Sequence, residues 1–189
     1  MKKEALKDRN ILIGVTGSIA VYKTAEIVSQ LFQQGARVKV IMTQSATRFV
    51  APLTFQTLSH NQVYLDMFEN VEQYNPAHIS LAEESDLMLI APATANIIGK
   101  IASGIADDFL STVVMSVTCP VLIAPAMNDR MYHNPIVQKN IKRLEKLGYI
   151  FISPEKGYLA CQKTGEGRLA SLETIINTLT TALAPHKKS

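Results

Sequence analysis

Short apolar runs alternate along the chain with segments in which apolar residues recur every three or four positions. The runs are rich in Ile, Leu and Val, and they predict buried strands over residues 10–15, 38–42, 86–91, 120–124 and 149–152. The helical spacing predicts helices over residues 19–34, 95–102, 107–116, 135–147 and 172–183, with short helical stretches around residue 46 and over 52–58. Gly35 and Gly148 directly follow two of these helices, as terminating glycines often do.

Strands that are apolar throughout and alternate with helices are typical of a parallel sheet covered on both faces. We therefore predict the α/β class, with a three-layer Rossmann-like (flavodoxin-like) doubly wound parallel sheet. A single domain is expected over residues 1–189, with residues 1–8 and 184–189 as loose ends. We find no linker, repeat or low-complexity segment that would divide it.

Small and polar residues follow three of the predicted strands. They read Gly-Val-Thr-Gly-Ser at 14–18, Ala-Pro-Ala-Thr-Ala-Asn at 91–96 and Ala-Pro-Ala-Met-Asn at 124–128. Because ligands of doubly wound sheets lie beyond the carboxyl ends of the strands, the three segments should converge on one site. Asn96 and Asn128 each follow an Ala-Pro-Ala sequence, and each is either a helix cap or a ligand-binding residue.

The turn after the first strand favours a mononucleotide. It reads G-x-x-G-x-x-A, and its Ser18 hydroxyl precedes a helix N-terminus, which suits a phosphate. A dinucleotide site also needs an acid about 20 residues further on, to hold a ribose. The second strand instead ends Val-Ile-Met-Thr-Gln, at 40–44. FMN therefore fits better than NAD or FAD, and an ordinary tight turn is the alternative for this motif taken alone.

The composition limits the kinds of partner, location and metal site that we expect for this chain. With 47% hydrophobic and 19% charged residues the chain is expected to be globular. A net charge of +3 without a basic stripe among aromatics disfavours nucleic acid as a partner. The apolar runs are too short to cross a membrane, and the charged N-terminus does not resemble a signal peptide. Two cysteines without metal-ligand spacing favour a cytoplasmic location and no metal.

Two further residues are candidates for chemistry. His78 precedes a short predicted helix, where it is a cap, a surface residue or a catalyst. Cys161 lies in a glycine-rich stretch, residues 157–168, whose composition suits a mobile lid. Cys119 begins an apolar strand and is expected to be inert packing. The other histidines are assigned to solvent or local bonds: His60, His133 and His186.

Five motifs together resemble the homo-oligomeric flavin-containing cysteine decarboxylases. They are GVTGSIAVYK at 14–23, HI at 78–79, APATANIIGKIASGIADD at 91–108, PAMNDRMY at 125–132 and ACQKTGEGR at 160–168. The match covers nearly the whole chain, and five motifs in this order and spacing are highly specific. A cysteine followed by G-x-G-R resembles the members that act on phosphopantothenoylcysteine. At 162–163 the chain has Gln-Lys, where members often carry Gly-Asp or Asn-Asp.

The resemblance implies roles for individual residues. It implies His78 as a base or orienting group, Asn128 as the clamp of the substrate carboxylate, Cys161 as the final proton donor, and Arg168 as a second substrate-binding residue. It implies an FMN site formed by Gly17, Ser18, Thr43, Thr94, Ala95, Asn96, Ile97 and Ala126. It also implies a homo-oligomer, either a trimer or a trimer-based dodecamer, with the flavin between subunits. Since many bacterial members carry a fused ligase domain, a separate phosphopantothenate-cysteine ligase is a further expected partner.

The implied reaction is FMN-dependent decarboxylation of 4'-phosphopantothenoyl-cysteine to 4'-phosphopantetheine in coenzyme A biosynthesis. Oxidation of the thiol to a thioaldehyde places a C=S bond beta to the carboxylate, so loss of CO2 leaves a stabilised enethiolate. Three alternatives share the scaffold: a peptidyl-cysteine (lantibiotic-type) decarboxylase, a flavin prenyltransferase, and a non-catalytic FMN-binding regulatory subunit. The lid cysteine argues against the first and second, and the lack of a long acidic extension argues against the third.

Overall fold

Six parallel strands form the central sheet of the computed structural model, which describes residues 5–67, 77–158, 160 and 162–184. Their bounds are β1 (Asn10–Val15), β2 (Arg37–Met42), β3 (Val63–Tyr64), β4 (Leu87–Ala93), β5 (Val121–Pro125) and β6 (Ile150–Phe151). They lie in the order β3-β2-β1-β4-β5-β6. A separate antiparallel pair consists of β7 (Glu155–Tyr158) and β8 (Thr164–Arg168).

Eight helices are found in the described part of the chain. Their bounds are α1 (Val21–Gln33), α2 (Pro52–Ser59), α3 (Ala77–Glu84), α4 (Ala95–Ser103), α5 (Phe109–Ser116), α6 (Asp129–Tyr132), α7 (Pro135–Lys146) and α8 (Leu172–Ala182). A single 3₁₀ turn, Ala46–Arg48, precedes α2. None of these helices is both long and apolar enough to cross a membrane.

The alternation of side chains along the strands divides the core into two layers. On β1, Ile11 and Ile13 face one layer, which also holds buried residues of α1, α2 and α8. Leu12 faces the other, with buried residues of α3, α4, α5 and α7. Because both faces are covered, the strands are apolar throughout, which is why the sequence shows continuous runs and no period of two.

The α/β class and the doubly wound parallel sheet are confirmed, and two details of the prediction are corrected. The strand order is that of the Rossmann sheet, whereas the flavodoxin-like order would place β1 beside β3. Residues 5–8 are not a loose end, because Leu6 is fully buried and the Asp8 N–H donates to the Gly35 carbonyl oxygen at 2.9 Å.

The glycine-rich stretch is the largest local difference from the sequence reading. Most of it forms the β7–β8 pair, in which Gly157 faces Gly165 across the two strands. Glycines carry no alternating side-chain pattern, so no period of two marks these strands in the sequence. The short strand β3 and the four-residue helix α6 were also not predicted.

Candidate active site

The ends of β1, β4 and β5 meet at one point, as the sequence predicted. The Thr16 hydroxyl donates to the Pro92 carbonyl oxygen at 2.6 Å and accepts from the Thr94 N–H at 3.1 Å. The Ala126 N–H donates to the Ala93 carbonyl oxygen at 3.0 Å. Neighbouring β1 and β4 form the switch point of the sheet, where ligands of this fold bind. Thr16 is buried and joins two of the strand ends, a role that the sequence reading missed.

A cavity of about 1030 Å³, called cavity 1 below, opens at this switch point. All the residues predicted to bind the cofactor line it: Gly17, Ser18, Thr43, Thr94, Ala95, Asn96, Ile97 and Ala126. Much of the remaining wall is apolar, with Leu65, Phe109 and Leu110 among its residues. The structure thus brings the predicted cofactor residues together around a space suited to an aromatic ring system.

The lining of cavity 1 fits flavin mononucleotide. A Cβ atom at Gly17 would lie 2.5 Å from Ser45 Cβ, so only glycine lets the turn after β1 approach the loop after β2 this closely. None of the described side chains caps the N-terminus of α1, and its first turn carries no acid. The Val21 and Lys23 N–H groups already donate to the Ser18 and Ala20 carbonyl oxygens, so the helix dipole and the Ser18 hydroxyl are the features that favour a bound anion. One phosphate at this turn, with rings against the apolar wall, matches the lining.

An ion-pair network closes one side of cavity 1. Lys100 Nζ lies 2.6 Å from Asp107 Oδ1 and 2.7 Å from Asp108 Oδ2. Asp108 also accepts from the Ser111 N–H in the capping box of α5. Partial burial opposes ionisation of Asp108, but the bonds from Lys100 and Ser111 outweigh it and hold the pKa of this carboxyl below its ordinary value. Asp108 is thus both the N-cap of α5 and a partner of Lys100.

A second cavity of about 640 Å³, called cavity 2, adjoins the first. Ser18, Ala126 and Met127 line both cavities, so they form a common wall. Asn128 and Arg168, the two predicted substrate-binding residues, both line cavity 2. A ligand in cavity 2 would therefore lie against the group that occupies cavity 1.

Asn128 and Asn96 differ in their local roles. Asn128 caps α6, since its Oδ1 accepts from the Arg130 N–H at 2.9 Å. Asn96 lies in the first turn of α4 and is exposed, while Thr94 caps that helix. The cap interpretation is therefore confirmed for Asn128 and wrong for Asn96. Capping fixes the Asn128 side chain at the wall of cavity 2, which is compatible with ligand binding.

Strand β8 is attached to the segment that carries Asn128. The Met127 N–H donates to the Gly167 carbonyl oxygen, and the Glu166 N–H donates to Asp129 Oδ1, both at 2.9 Å. Side chains are excluded here, because a Cβ at Gly167 would lie 2.2 Å from the Met127 carbonyl oxygen. The predicted proton donor Cys161 lies outside the described residues, in the connection between β7 and β8.

The remaining predicted groups are placed away from the cavities or are structural. His78 lies half-buried near the start of α3 and is not one of the described residues that line either cavity. Cys119 is half-buried, and this burial raises the pKa of its thiol, as expected for inert packing. His133 Nε2 lies 3.4 Å from Asp129 Oδ1 and 3.3 Å from Glu166 Oε2, a local contact. We find no group of metal-ligating side chains in the part of the chain that the structure describes.

Comparison with known proteins agrees with this geometry. A family model described as Flavoprotein matches residues 1–184. The chain belongs to the Flavoprotein family. It is 45% identical over 170 residues to the probable phosphopantothenoylcysteine decarboxylase of Streptococcus mutans, a match that covers 89% of this chain and 95% of that protein. It is 54% identical over 171 residues to the coenzyme A biosynthesis bifunctional protein CoaBC of Bacillus subtilis, which covers 90% of this chain.

The chain spans only 42% of the length of the Bacillus subtilis CoaBC protein. Solved structures match over more of their length. A PPC decarboxylase variant with Ser in place of a Cys, complexed with pantothenoylaminoethenethiol, is 30% identical with a TM-score of 0.83, covering 93% of this chain and 98% of that one. The FMN-dependent cysteine decarboxylase SpaF is 29% identical with a TM-score of 0.83, covering 94% and 97%.

Proposed function

We propose that this chain is an FMN-dependent decarboxylase that converts 4'-phosphopantothenoyl-cysteine to 4'-phosphopantetheine, a step of coenzyme A biosynthesis. The common wall of Ser18, Ala126 and Met127 between the two cavities carries the proposal. Because these residues border both cavities, a substrate in cavity 2 would be adjacent to a flavin in cavity 1, as redox-assisted decarboxylation requires. The names of the similar CoaBC and phosphopantothenoylcysteine decarboxylase proteins support the choice of substrate.

FMN, held by Gly17, Ser18 and residues 94–97, would supply a reversible two-electron acceptor for the carbon that bears the thiol. The thiol proton must go to a base while the C=S bond forms. The C–C bond to the carboxylate then breaks, and its electron pair becomes part of the enethiolate. Return of two electrons as hydride, one proton added to carbon, and return of the base's proton to sulfur give the aminoethanethiol product, so there is no net oxidation.

Asn128 is proposed to orient the substrate carboxylate. Its capping bond to the Arg130 N–H restricts the side chain at the wall of cavity 2. A neutral amide can hold a carboxylate without the strong ground-state attraction of a cation, which would oppose release of CO2. Cys161 is proposed as the donor of the final proton, and the proposal is supported by its described neighbour Ala160, which lines cavity 2.

His78 is proposed to act as the base or orienting group in a neighbouring subunit's site. Its absence from the described lining of either cavity in its own chain motivates this assignment. Exposed apolar residues beside cavity 2 support a homo-oligomer, here a trimer or a trimer-based dodecamer. They are Ile19, Tyr22 and Tyr158, with 56%, 61% and 69% of their surfaces exposed.

Mixed oligomers test the shared site. His78→Asn and Asn128→Asp subunits, each inactive alone, should regain activity when they are unfolded and refolded together. In a random closed trimer roughly a quarter of the sites would combine an intact His78 with an intact Asn128. No recovery in mixtures that contain mixed trimers would restrict His78 to its own chain.

Further expectations concern the cell. We propose a cytoplasmic location and a separate phosphopantothenate-cysteine ligase as the source of the substrate. Fractionation of cells that express the tagged chain tests the location. Co-purification at native expression levels tests physical association with the ligase.

The central experiment is incubation of the purified flavin-loaded protein with 4'-phosphopantothenoyl-cysteine, followed by mass spectrometry for loss of CO2. The matched control is Asn128→Asp, which retains a capping oxygen. Turnover only of peptides with a C-terminal cysteine would instead identify a peptidyl-cysteine decarboxylase. Bound flavin without turnover of either substrate would favour the regulatory-subunit alternative.

A further inference from the structure

Two cations line cavity 2 together with Asn128. Lys23 lies on α1 and Arg168 ends β8, so distant parts of the chain bring them to one concave surface. Neither forms an ion pair within the described residues. Like charges that face one cavity repel each other, and a bound anion would reduce this repulsion.

Lys23 is half-buried and Arg168 is exposed, but the guanidinium of Arg168 has a packing partner. A Cβ at Gly157 would lie 3.3 Å from Arg168 Nη1, so the guanidinium packs directly over this glycine. Partial burial, together with the charge of Arg168, lowers the pKa of the Lys23 ammonium. Glu155 and Glu26 oppose this shift, but Glu155 is engaged by the Ser171 N–H at 2.8 Å. Attraction to a bound anion would offset both the cost of burial and the repulsion.

We propose that Lys23 and Arg168 form the subsite for the phosphate of the substrate, an inference that rests on the proposed function. The substrate has two anionic ends, its phosphate and its cysteine carboxylate. Two cations match the charge of a phosphate dianion, and the guanidinium fork suits its oxygens. The same pair on the carboxylate would stabilise the ground state and oppose loss of CO2, a role that Asn128 fills without charge. Tyr22 and Tyr158, also in the lining, offer apolar surface to the chain between the two ends.

Kinetics with paired substrates test the subsite. Lys23→Gln and Arg168→Gln should each lower kcat/KM for 4'-phosphopantothenoyl-cysteine by about tenfold to a hundredfold, the usual effect of losing a charge-assisted contact. With pantothenoyl-cysteine, which lacks the phosphate, the change should stay within about twofold. Lys23→Arg should recover most of the loss. Lys142→Gln, an equal change of charge on the exposed face of α7, should leave both substrates unaffected. Retained flavin colour verifies that each variant is folded.

Binding of the products tests whether the cations contact the phosphate end, and it does not depend on turnover. By calorimetry the wild-type protein should bind 4'-phosphopantetheine more tightly than pantetheine, and the Lys23→Gln/Arg168→Gln protein should lose this difference. Equal losses of kcat/KM with both substrates, or product binding that the variants do not change, would place the cations on the carboxylate or in a structural role and overturn the proposal. Equal wild-type affinity for the two products overturns it too, whether or not the chain decarboxylates. Absence of turnover with phosphate-selective binding would reject only the proposed function.

Discussion

Asp129 Oδ1 accepts a hydrogen bond from the backbone N–H of Glu166 at 2.9 Å. This bond joins the first residue of α6 to the middle of β8, and Gly165 packs so closely that a Cβ there would lie 2.8 Å from Asp129 Cβ. Asn128 is the neighbour of Asp129, so this bond attaches the residue proposed to hold the substrate carboxylate to β8, the strand that ends at Arg168.

We expect Asp129→Ala to loosen β8, while Asp129→Asn, which keeps a neutral acceptor oxygen, should lie between the alanine variant and wild type. A hydrogen bond of a charged acceptor contributes about 1.5–3 kcal/mol, so the Glu166 amide should exchange roughly tenfold or more faster in the alanine variant. Hydrogen exchange and kcat are measured together. Unchanged exchange at Glu166 in Asp129→Ala would show that the bond does not hold the strand.

Gly17→Ala should abolish flavin binding with little loss of fold. The added methyl group would meet Ser45 2.5 Å away and force apart the two loops that enclose one end of cavity 1. The flavin-to-protein absorbance ratio of the purified variant measures the effect. Gly99→Ala is the matched control, since its Cβ would meet only Asn140 Nδ2, at 3.9 Å, and alanine within a helix adds about 0.5–1 kcal/mol of stability. A yellow Gly17→Ala protein would contradict the close-approach argument.

Asn128→Asp should eliminate turnover and keep the fold. Aspartate caps a helix as well as asparagine does, so the bond to the Arg130 N–H survives. The new carboxylate opposes that of the substrate by roughly 4 kcal/mol at about 4 Å and an effective dielectric near 20, which corresponds to about a thousandfold in rate. Melting temperature and kcat/KM report the two effects separately. Near-normal activity would remove Asn128 from carboxylate binding.

Cys161→Ser should separate the two halves of the proposed reaction. A hydroxyl is a much weaker acid than a thiol, so CO2 should leave while the final protonation stalls. The variant should accumulate an enethiol product two hydrogens lighter than the normal one, seen by mass spectrometry, with bleached flavin absorbance. The similar PPC decarboxylase in complex with pantothenoylaminoethenethiol is also a Cys-to-Ser variant. Normal product at a normal rate would exclude Cys161 from the mechanism.

Asp108→Asn should lower stability at neutral pH but not in acid. The folded pKa of Asp108 lies below its ordinary value of 3.8, so its ionised form stabilises the fold above that pH. This contribution disappears as the pH falls through the lower folded pKa. We expect a difference of about 1 kcal/mol at pH 7 that shrinks below about pH 4, measured by urea unfolding. Asp8→Asn is the control, because Asp8 and Arg37 are both mostly exposed and their pair at 3.4 Å should contribute little. A difference that is independent of pH would contradict the ion-pair account.

Much of the fold could be predicted because its signals are local. The runs that form β1, β2, β4 and β5 are apolar on both faces. Some helices are followed by a residue that favours termination, such as Gly148 with its positive φ. Residues 149–152 were also predicted as a strand, although only Ile150–Phe151 pairs with the sheet. The small residues after three strands also predicted a shared ligand end, since parallel strands must present their carboxyl ends on one edge.

The strand order and the long-range contacts within the chain were decided only by tertiary packing. No local pattern specifies that β1 lies between β2 and β4, which places the switch point beside Thr16. The sequence also did not reveal that Lys23 and Arg168 share a cavity, because they lie on a helix and a strand far apart along the chain. The β7–β8 pair depends on main-chain bonds between glycine-rich segments, and such bonds leave no trace in side-chain periodicity. The sequence by itself therefore determined the elements and the residues suited to chemistry, while long-range packing decided which of those residues meet.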